Sequence, residues 1–322
     1  MTRPFRFAVQ SYSAVSAADW REQARTAESL GYSAFHLADH VIGPGPALDP
    51  TNHPVQTIAA IPGVMAAAAA TERIKVGCRV FCCDYRNPSV FVKELLTLDL
   101  LSEGRLEVGL GAGWLHNEYD AIGVPWLAPG ERLTRLEETI ALLRSSAAEG
   151  LLDAQGKYVH AVGFEAVPKP IQQPLPIMIG GGARRVLGIA GREADIVSLN
   201  FDNSSGRIGP EGVGSGTAEA THQKIEWIRA GAQDRFDEIE LEIAAYFTVV
   251  TDQRESTLAG MAKMFGLTPA QLGDHPHSLI GSIDAICEQL IARREAYGIS
   301  YVTVGRTVME AFAPVVARLS GI

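Results

Sequence analysis

Two runs of glycine stand where strands should end. Backbone stripped of side chains at such a junction can lie against a planar ring or bring N–H groups up to an anion. The first run is Leu106 to Tyr119, LEVGLGAGWLHNEY, in which Gly109, Gly111 and Gly113 alternate with Leu110, Ala112 and Trp114. One face of the backbone is therefore bare where the strand stops, and a flat ring system could lie there. The second is Ile177 to Arg185, IMIGGGARR, which ends a strand and opens a helix carrying Arg184 and Arg185 in its first turn. Gly180 to Gly182 can present N–H groups to phosphate oxygens, with the helix dipole and a charge-assisted hydrogen bond from Arg184 or Arg185 adding to the attraction. Glycines after a strand also make an ordinary tight turn, and arginines there can be solvated. Two such junctions in one chain suggest a single mouth that holds one flat, anionic cofactor.

The elements that must position these junctions alternate along the chain. Phe7 to Gln10 reads as a strand, Ala17 to Leu30 as a helix with Trp20, Ala24, Ala27 and Leu30 on one face, and Ser33 to Ala38 as a strand ending in Asp39-His40. The alternation continues with helix 54–70, strand 75–83, helix 88–101, strand 106–111 and a long amphipathic helix 132–149 with Leu133, Leu136, Ile140 and Leu143 on one side. After a break it resumes with strand 177–179, helix 184–192, strand 196–199, helix 217–231, strand 241–250, helices 255–265 and 283–297, strand 301–304 and helix 308–319. Eight strands, each followed by helix, predict an α/β chain folded as a single (β/α)8 TIM barrel with insertions over residues 1–322. An open doubly wound sheet is the alternative, since periodicity does not show closure. Residues 150–176, rich in proline, read as an insertion packed on the scaffold, and the glycine-rich 202–216 as either a surface connection or a lid over the mouth.

The 322 residues carry a net charge of -9, which argues against a nucleic-acid or anionic-membrane partner held by many Lys and Arg contacts. The near-apolar run 59–70 is too short to span a bilayer. Arg3, Pro4 and Arg6 give no signal-peptide core. Cys78, Cys82, Cys83 and Cys287 lack metal-ligand spacing, so no metal site is expected, and they read as reduced, buried thiols of a cytoplasmic protein.

Together FHLADH (35–40), GCRVFCCDYRNP (77–88), LDLLSEGRLEVGLGAGWLHNEYDAIG (98–123), PLPIMIGGGARR (174–185) and HSLIGSIDAICEQLIARREAYG (277–298) resemble the luciferase-like monooxygenase superfamily. Within it they resemble the branch that uses coenzyme F420, a 5-deazaflavin. The resemblance implies a bacterial luciferase-like barrel with the cofactor at its C-terminal mouth. It places Asp39 and His40 beside the ring, backs the ring with the end of the third strand through a non-prolyl cis peptide near Arg79-Val80, and puts Cys82 in the same wall. It gives Ala112, Gly113 and Asn117 to the ring and ribityl chain, and Gly181, Gly182, Ala183, Arg185 and Val186 to the phosphate. His40 becomes the catalytic candidate, able to stabilise charge at the ring edge or take a substrate proton. Sugar-phosphate dehydrogenases of the branch carry a glutamate where Trp114 stands; an indole cannot exchange a proton near neutral pH, which argues against glucose-6-phosphate oxidation and leaves Trp114 to stack on substrate or to pack. Glu118 is read as part of a helix turn with no chemistry.

The expected activity is hydride transfer between F420 and a small, partly apolar organic substrate. Two alternatives stay open: an FMN-dependent luciferase-like monooxygenase, and a flavin- or deazaflavin-binding protein without turnover. The resemblance also implies a homodimer through the helices after the second and third strands.

Overall fold

The computed structural model describes residues 3–322. Eight strands close into a parallel barrel. They are β1 (Arg6–Gln10), β2 (Ala34–Leu37), β3 (Lys75–Cys82), β4 (Leu106–Gly111), β5 (Ile177–Gly181), β6 (Ile196–Leu199), β7 (Glu240–Ala244) and β8 (Ile299–Gly305). Each pairs with the next in sequence, and β8 returns to β1 through Arg6 opposite Tyr301, so the open-sheet alternative is excluded.

The barrel helices are α1 (Ala17–Ser29), α2 (Ala60–Ala68), α3 (Pro88–Leu101), α4 (Pro129–Ala147), α5 (Arg184–Glu193), α6 (Ala218–Ala232), α7 (Ile283–Tyr297) and α8 (Met309–Leu319). Local chemistry sets their ends. Ser16 caps α1 by accepting from the Asp19 N–H at 3.1 Å, and Asn87 caps α3 with Pro88 in its first position. Trp20, Ala24 and Ala27 of α1 are buried against the barrel, while Leu30 is partly buried.

Three readings of the sequence need correction. Residues 54–59 are not helical, and α2 begins only at Ala60. The expected strand 241–250 breaks after Ala244; Phe247–Val250 leaves the barrel and pairs in parallel with Ser278–Gly281, a strand just before the helix read at 283–297. The third concerns α4, which starts three residues early, with Leu133 turned partly out of the core. Within 202–216, Pro210–Gly214 forms a short helix, Val213 is buried, and the Asp202 N–H donates to the Ser215 hydroxyl at 2.7 Å. The Ile208 N–H donates to the Thr51 carbonyl at 2.8 Å, tying this segment to the loop after β2. Within 150–176, Asp153–Gln155 and His160–Val162 form an antiparallel hairpin.

The lower barrel interior holds charges that no local pattern places in a core. Arg6 donates to Glu240 through Nε at 2.8 and 2.9 Å and reaches Glu107, which also accepts from the Tyr301 hydroxyl at 2.9 Å and pairs with His36 Nε2 at 3.1 Å. Burial alone would raise the Glu107 carboxyl, yet Arg6 and His36 outweigh it and hold the group well below the usual range.

Candidate functional site

A cavity of about 380 Å³ opens at the C-terminal ends of the strands. The end of β2 brings Asp39 and His40 to it, β3 brings Arg79, Val80 and Cys82, and the turn after β4 brings Ala112, Gly113 and Trp114. The β5–α5 junction adds Gly181, Gly182, Ala183 and Val186. Residues from four separate βα junctions thus share one wall, as a closed parallel barrel requires of its loops.

The Arg79–Val80 peptide bond is cis, and the Arg79 carbonyl accepts from the Gln10 side chain at 2.9 Å. The pairing of β3 with β4 skips between Cys78 and Phe81. Val80 then faces the glycines: a Cβ built on Gly111 would lie 2.6 Å from Val80 Cγ2, and one on Gly180 3.1 Å from Val80 Cγ1. Gly109 has even less room, since its Cβ would meet the Cys78 carbonyl oxygen at 2.0 Å. The bare face of β4 is therefore filled largely by the protein's own Val80, and a ring laid in the cavity would meet Val80 there rather than naked strand. Gly113 is required on two grounds, a φ of +68° and a Tyr119 hydroxyl 1.8 Å from where its Cβ would be.

Asp39 and His40 are neighbours in sequence with opposite situations. The Asp39 carboxylate accepts from Arg86 at 2.6 and 2.9 Å and from the Cys82 N–H at 3.0 Å, so it clamps the β2 and β3 ends together. His40 Nδ1 lies 2.8 Å from Glu118 Oε2. Glu118 is fully buried and also accepts from the Tyr85 hydroxyl at 2.6 Å and the backbone N–H groups of Val41 and Ile42. Burial would raise its carboxyl, but His40, Tyr85 and the backbone donors together hold it below the ordinary value. A carboxylate at Nδ1 assigns the proton to that nitrogen and leaves Nε2 as the acceptor.

Glu118, to which the sequence assigned no chemistry, is the buried carboxylate against His40. It lies on the helix His116–Ile122, where Leu115 and Tyr119 are buried; a charged residue on that same inward face, three positions after Leu115, was the available signal. Beside it, the His53 ring sits 3.9 Å from the His40 ring and Trp114 5.9 Å from it, nearly perpendicular. Burial, with help from His40, pushes the His53 imidazole down to about 3, so it is neutral. Cys82, touching the Tyr119 hydroxyl at 3.1 Å, has its thiol pushed up to about 12 by burial. All four cysteines are buried free thiols, as expected.

Three expected cofactor residues do not line the cavity. Asn117 sits on the helix His116–Ile122 outside the lining. Arg184 is exposed, and Arg185 turns away, donating to the Gly130 carbonyl at 3.0 Å and pairing with Glu137 at 3.5 Å. Both arginines follow the first helical positions outward, where α4 and water receive them. Arg132 of α4 lines the cavity instead. Its Nη1 donates to the carbonyls of Ala112 and Gly113 at 3.0 and 2.6 Å, and its guanidinium lies 3.7 Å over the Trp126 ring.

Buried polar atoms in folded proteins are nearly always paired. Four side chains of this lining nonetheless hold enclosed atoms without a partner among the described residues: Arg79 Nη2, Ser198 Oγ, Arg132 Nε and Asn203 Oδ1. Donors and acceptors left open at several points of one pocket fit a ligand that carries several polar groups, as a flavin or deazaflavin does. Among the described residues no His, Cys, Asp and Glu group could hold a metal ion, and no helix is long and apolar enough to cross a membrane.

Comparison with known proteins agrees with this architecture. The family described as luciferase-like monooxygenase matches residues 1–271. An F420-dependent glucose-6-phosphate dehydrogenase of Amycolatopsis mediterranei is 32% identical over 178 residues, 55% of this chain and 51% of that protein. An FMNH2-dependent dimethylsulfone monooxygenase of Pseudomonas putida is 28% identical over 197 residues, 61% and 50% of the two chains. The chain thus spans about half the length of these curated relatives. Among solved structures, the coenzyme F420-dependent tetrahydromethanopterin reductase of Methanopyrus kandleri shares the fold, with a TM-score of 0.74, 18% identity and 98% of each chain covered.

Proposed function

Since this chain belongs to the luciferase-like monooxygenase family, we propose that it is an oxidoreductase that binds coenzyme F420 in the barrel mouth and moves a hydride between the deazaflavin and a small, partly apolar organic substrate. The observation that carries the reading is the Glu118–His40 pair at the cavity, a buried carboxylate 2.8 Å from an imidazole whose other nitrogen is left to act. Hydride removal from a substrate needs an acceptor for the accompanying proton, and Nε2 of His40 is that acceptor. Glu118 holds the imidazole in one tautomer and stabilises the imidazolium once the proton arrives, while Tyr85 and two backbone N–H groups fix the carboxylate.

The deazaflavin supplies the hydride acceptor or donor when bound. This chain's residues would hold it with Val80 and Cys82 behind the ring, Ala112 and Gly113 along it, and Gly181, Gly182, Ala183 and Val186 at the phosphate. The substrate side is bounded by His40 and Trp114, and Trp114 packs on an apolar cluster of Ile42, Leu48 and Leu115, which supports an apolar portion in the substrate. A homodimer through α2 and α3 belongs to the same reading, supported by the exposed Val90, Leu100 and Leu101 on α3.

A second reading, an FMN-dependent monooxygenase on the same barrel, draws on the similarity to the FMNH2-dependent relative. Titration of the purified protein with F420 and with FMN, followed by fluorescence quenching, separates them. Saturable quenching with F420 and a substrate-dependent change in its absorbance are expected; binding of FMN alone overturns the F420 assignment.

A further inference from the structure

A ring held by one hydrogen bond can still turn about that bond. The Glu118 carboxylate meets His40 at Nδ1 alone, so the direction in which Nε2 points depends on what lies against the ring. His53 lies there: the two ring centroids are 3.9 Å apart, with the planes tilted by 46°. Trp114 stands nearly perpendicular to His40 at 5.9 Å and is 5.8 Å from His53, so the three rings form one packed group at the mouth.

His53 is itself held from several sides. Its Nδ1 is 2.8 Å from the Pro54 carbonyl, which assigns the proton to Nδ1 and leaves Nε2 bare. Its backbone N–H donates to the Thr51 hydroxyl at 3.1 Å, and the Tyr12 ring meets it edge-on at 5.6 Å. The loop that carries it is stitched back to the end of β2, where the His40 N–H donates to the Gln56 side chain at 3.3 Å. It is stitched outward to Ile208, whose carbonyl accepts from the Asn52 side chain at 2.9 Å.

Charge completes the case. Around the two imidazoles stand the Glu118 carboxylate, the Tyr85 hydroxyl that donates to it and the Tyr12 phenol, with the Asp39–Arg86 ion pair beside them in the chain. Asp39 is spent on Arg86, so one carboxylate serves two imidazoles. Rings this close oppose a second proton, and Glu118 directs the first to His40. Burial, then the neighbouring His40, holds the His53 imidazole down to about 3.

We propose that His53 is a positioning residue for His40: a neutral ring, packed against the imidazole, that keeps Nε2 turned to the cavity and leaves its capacity to accept a proton undiminished. This rests on the reading of His40 as proton acceptor given above. His53 acts through His40 and needs no contact with substrate.

The test follows the His40 ring of the purified full chain by two-bond 1H–15N NMR, with His40→Ala assigning its signals and thermal unfolding recorded for every variant. In the unmodified protein His40 should show one tautomer, protonated at Nδ1, above its titration midpoint. His53→Phe, which keeps a flat neutral ring, should preserve both tautomer and midpoint. His53→Ala should mix the tautomers, read as Nδ1 and Nε2 shifts drawn together; His53→Asn serves the same purpose if the Ala variant does not fold. His53→Lys should displace the His40 midpoint to lower pH by about one unit, because a fixed cation opposes the imidazolium. An unchanged tautomer in the ring-deleting variant, or an unchanged midpoint in His53→Lys, overturns the proposal, and so does a lower unfolding temperature with unaltered His40 signals. Quenching titrations with F420 and with FMN on the same samples are independent of these signals. If neither binds, the cofactor reading fails while the His40 spectra still decide the role of His53.

Discussion

The lower and upper halves of the barrel interior are both polar, and they treat their polar groups in opposite ways. Below, Arg6, Glu107, Glu240, His36 and Tyr301 answer one another, with only His36 Nδ1 left unpartnered. Above, Arg79, Ser198, Arg132 and Asn203 each keep an enclosed atom unpaired at the cavity. A satisfied network makes a rigid plug; an unsatisfied one stores affinity for whatever completes it. The contrast teaches where to look for function, since charge in a core is common to both halves and incompleteness belongs mainly to one.

The largest effect should come from His40→Ala, which removes the proposed proton acceptor. Turnover should fall by about a hundredfold to ten-thousandfold with little change in unfolding temperature, checked by steady-state kinetics beside calorimetry. Breaking the lower half should do the reverse. Glu107→Ala removes the carboxylate shared by Arg6, His36 and Tyr301, leaves Arg6 with Glu240 alone and the buried His36 and Tyr301 donors unpaired, and should cost about 1–3 kcal/mol of stability in denaturant unfolding. A loss below 1 kcal/mol would mean the plug is not what stiffens the barrel.

Glu118→Gln should lower kcat by about tenfold to a hundredfold with KM nearly unchanged, the pattern of a residue that orients another. An unaltered kcat would reduce the pair to packing.

Acid should weaken the loops around the upper half. Burial above all holds His53 down to about 3 and His275 to about 4, against an ordinary 6.5, with Arg293 and Lys224 adding to it at His275. As pH drops below about 6.5 the unfolded chain takes up these protons and the folded chain does not, so their contribution is intact above 6.5 and is lost progressively toward 4 and 3. Unfolding temperature should fall across that window, and His275→Phe should flatten the slope.

The smallest effect sharpens the comparison most. Ser198→Ala removes an enclosed hydroxyl with no partner and should leave the free protein unchanged or more stable by up to about 1 kcal/mol, while weakening cofactor binding. Loss of stability with unchanged binding would show the hydroxyl to be structural.

Much of this could be read from the chain alone. The glycines after β4 and β5 marked the mouth, and the resemblance located the cis bond at Arg79–Val80. Reading failed where a neighbour far away in sequence decides the outcome. Val80 occupies the space that Gly109 and Gly111 leave, so bare backbone did not mean an open surface. Arg185 looked like a phosphate ligand because of its place in the helix, yet Glu137 of α4 receives it. Glu118 looked like part of a helix turn with no chemistry because its three kinds of donor come from the loops after β2 and β3.

The order of strands and helices, their caps and the glycine junctions were determined by the sequence itself, because periodicity, capping and positive φ act over a few neighbouring residues. Which polar groups are satisfied was decided only when the barrel closed. His40 meets Glu118 across 78 residues, Arg79 meets Glu242 across 163 and Arg6 meets Glu240 across 234. No local pattern encodes such a pairing.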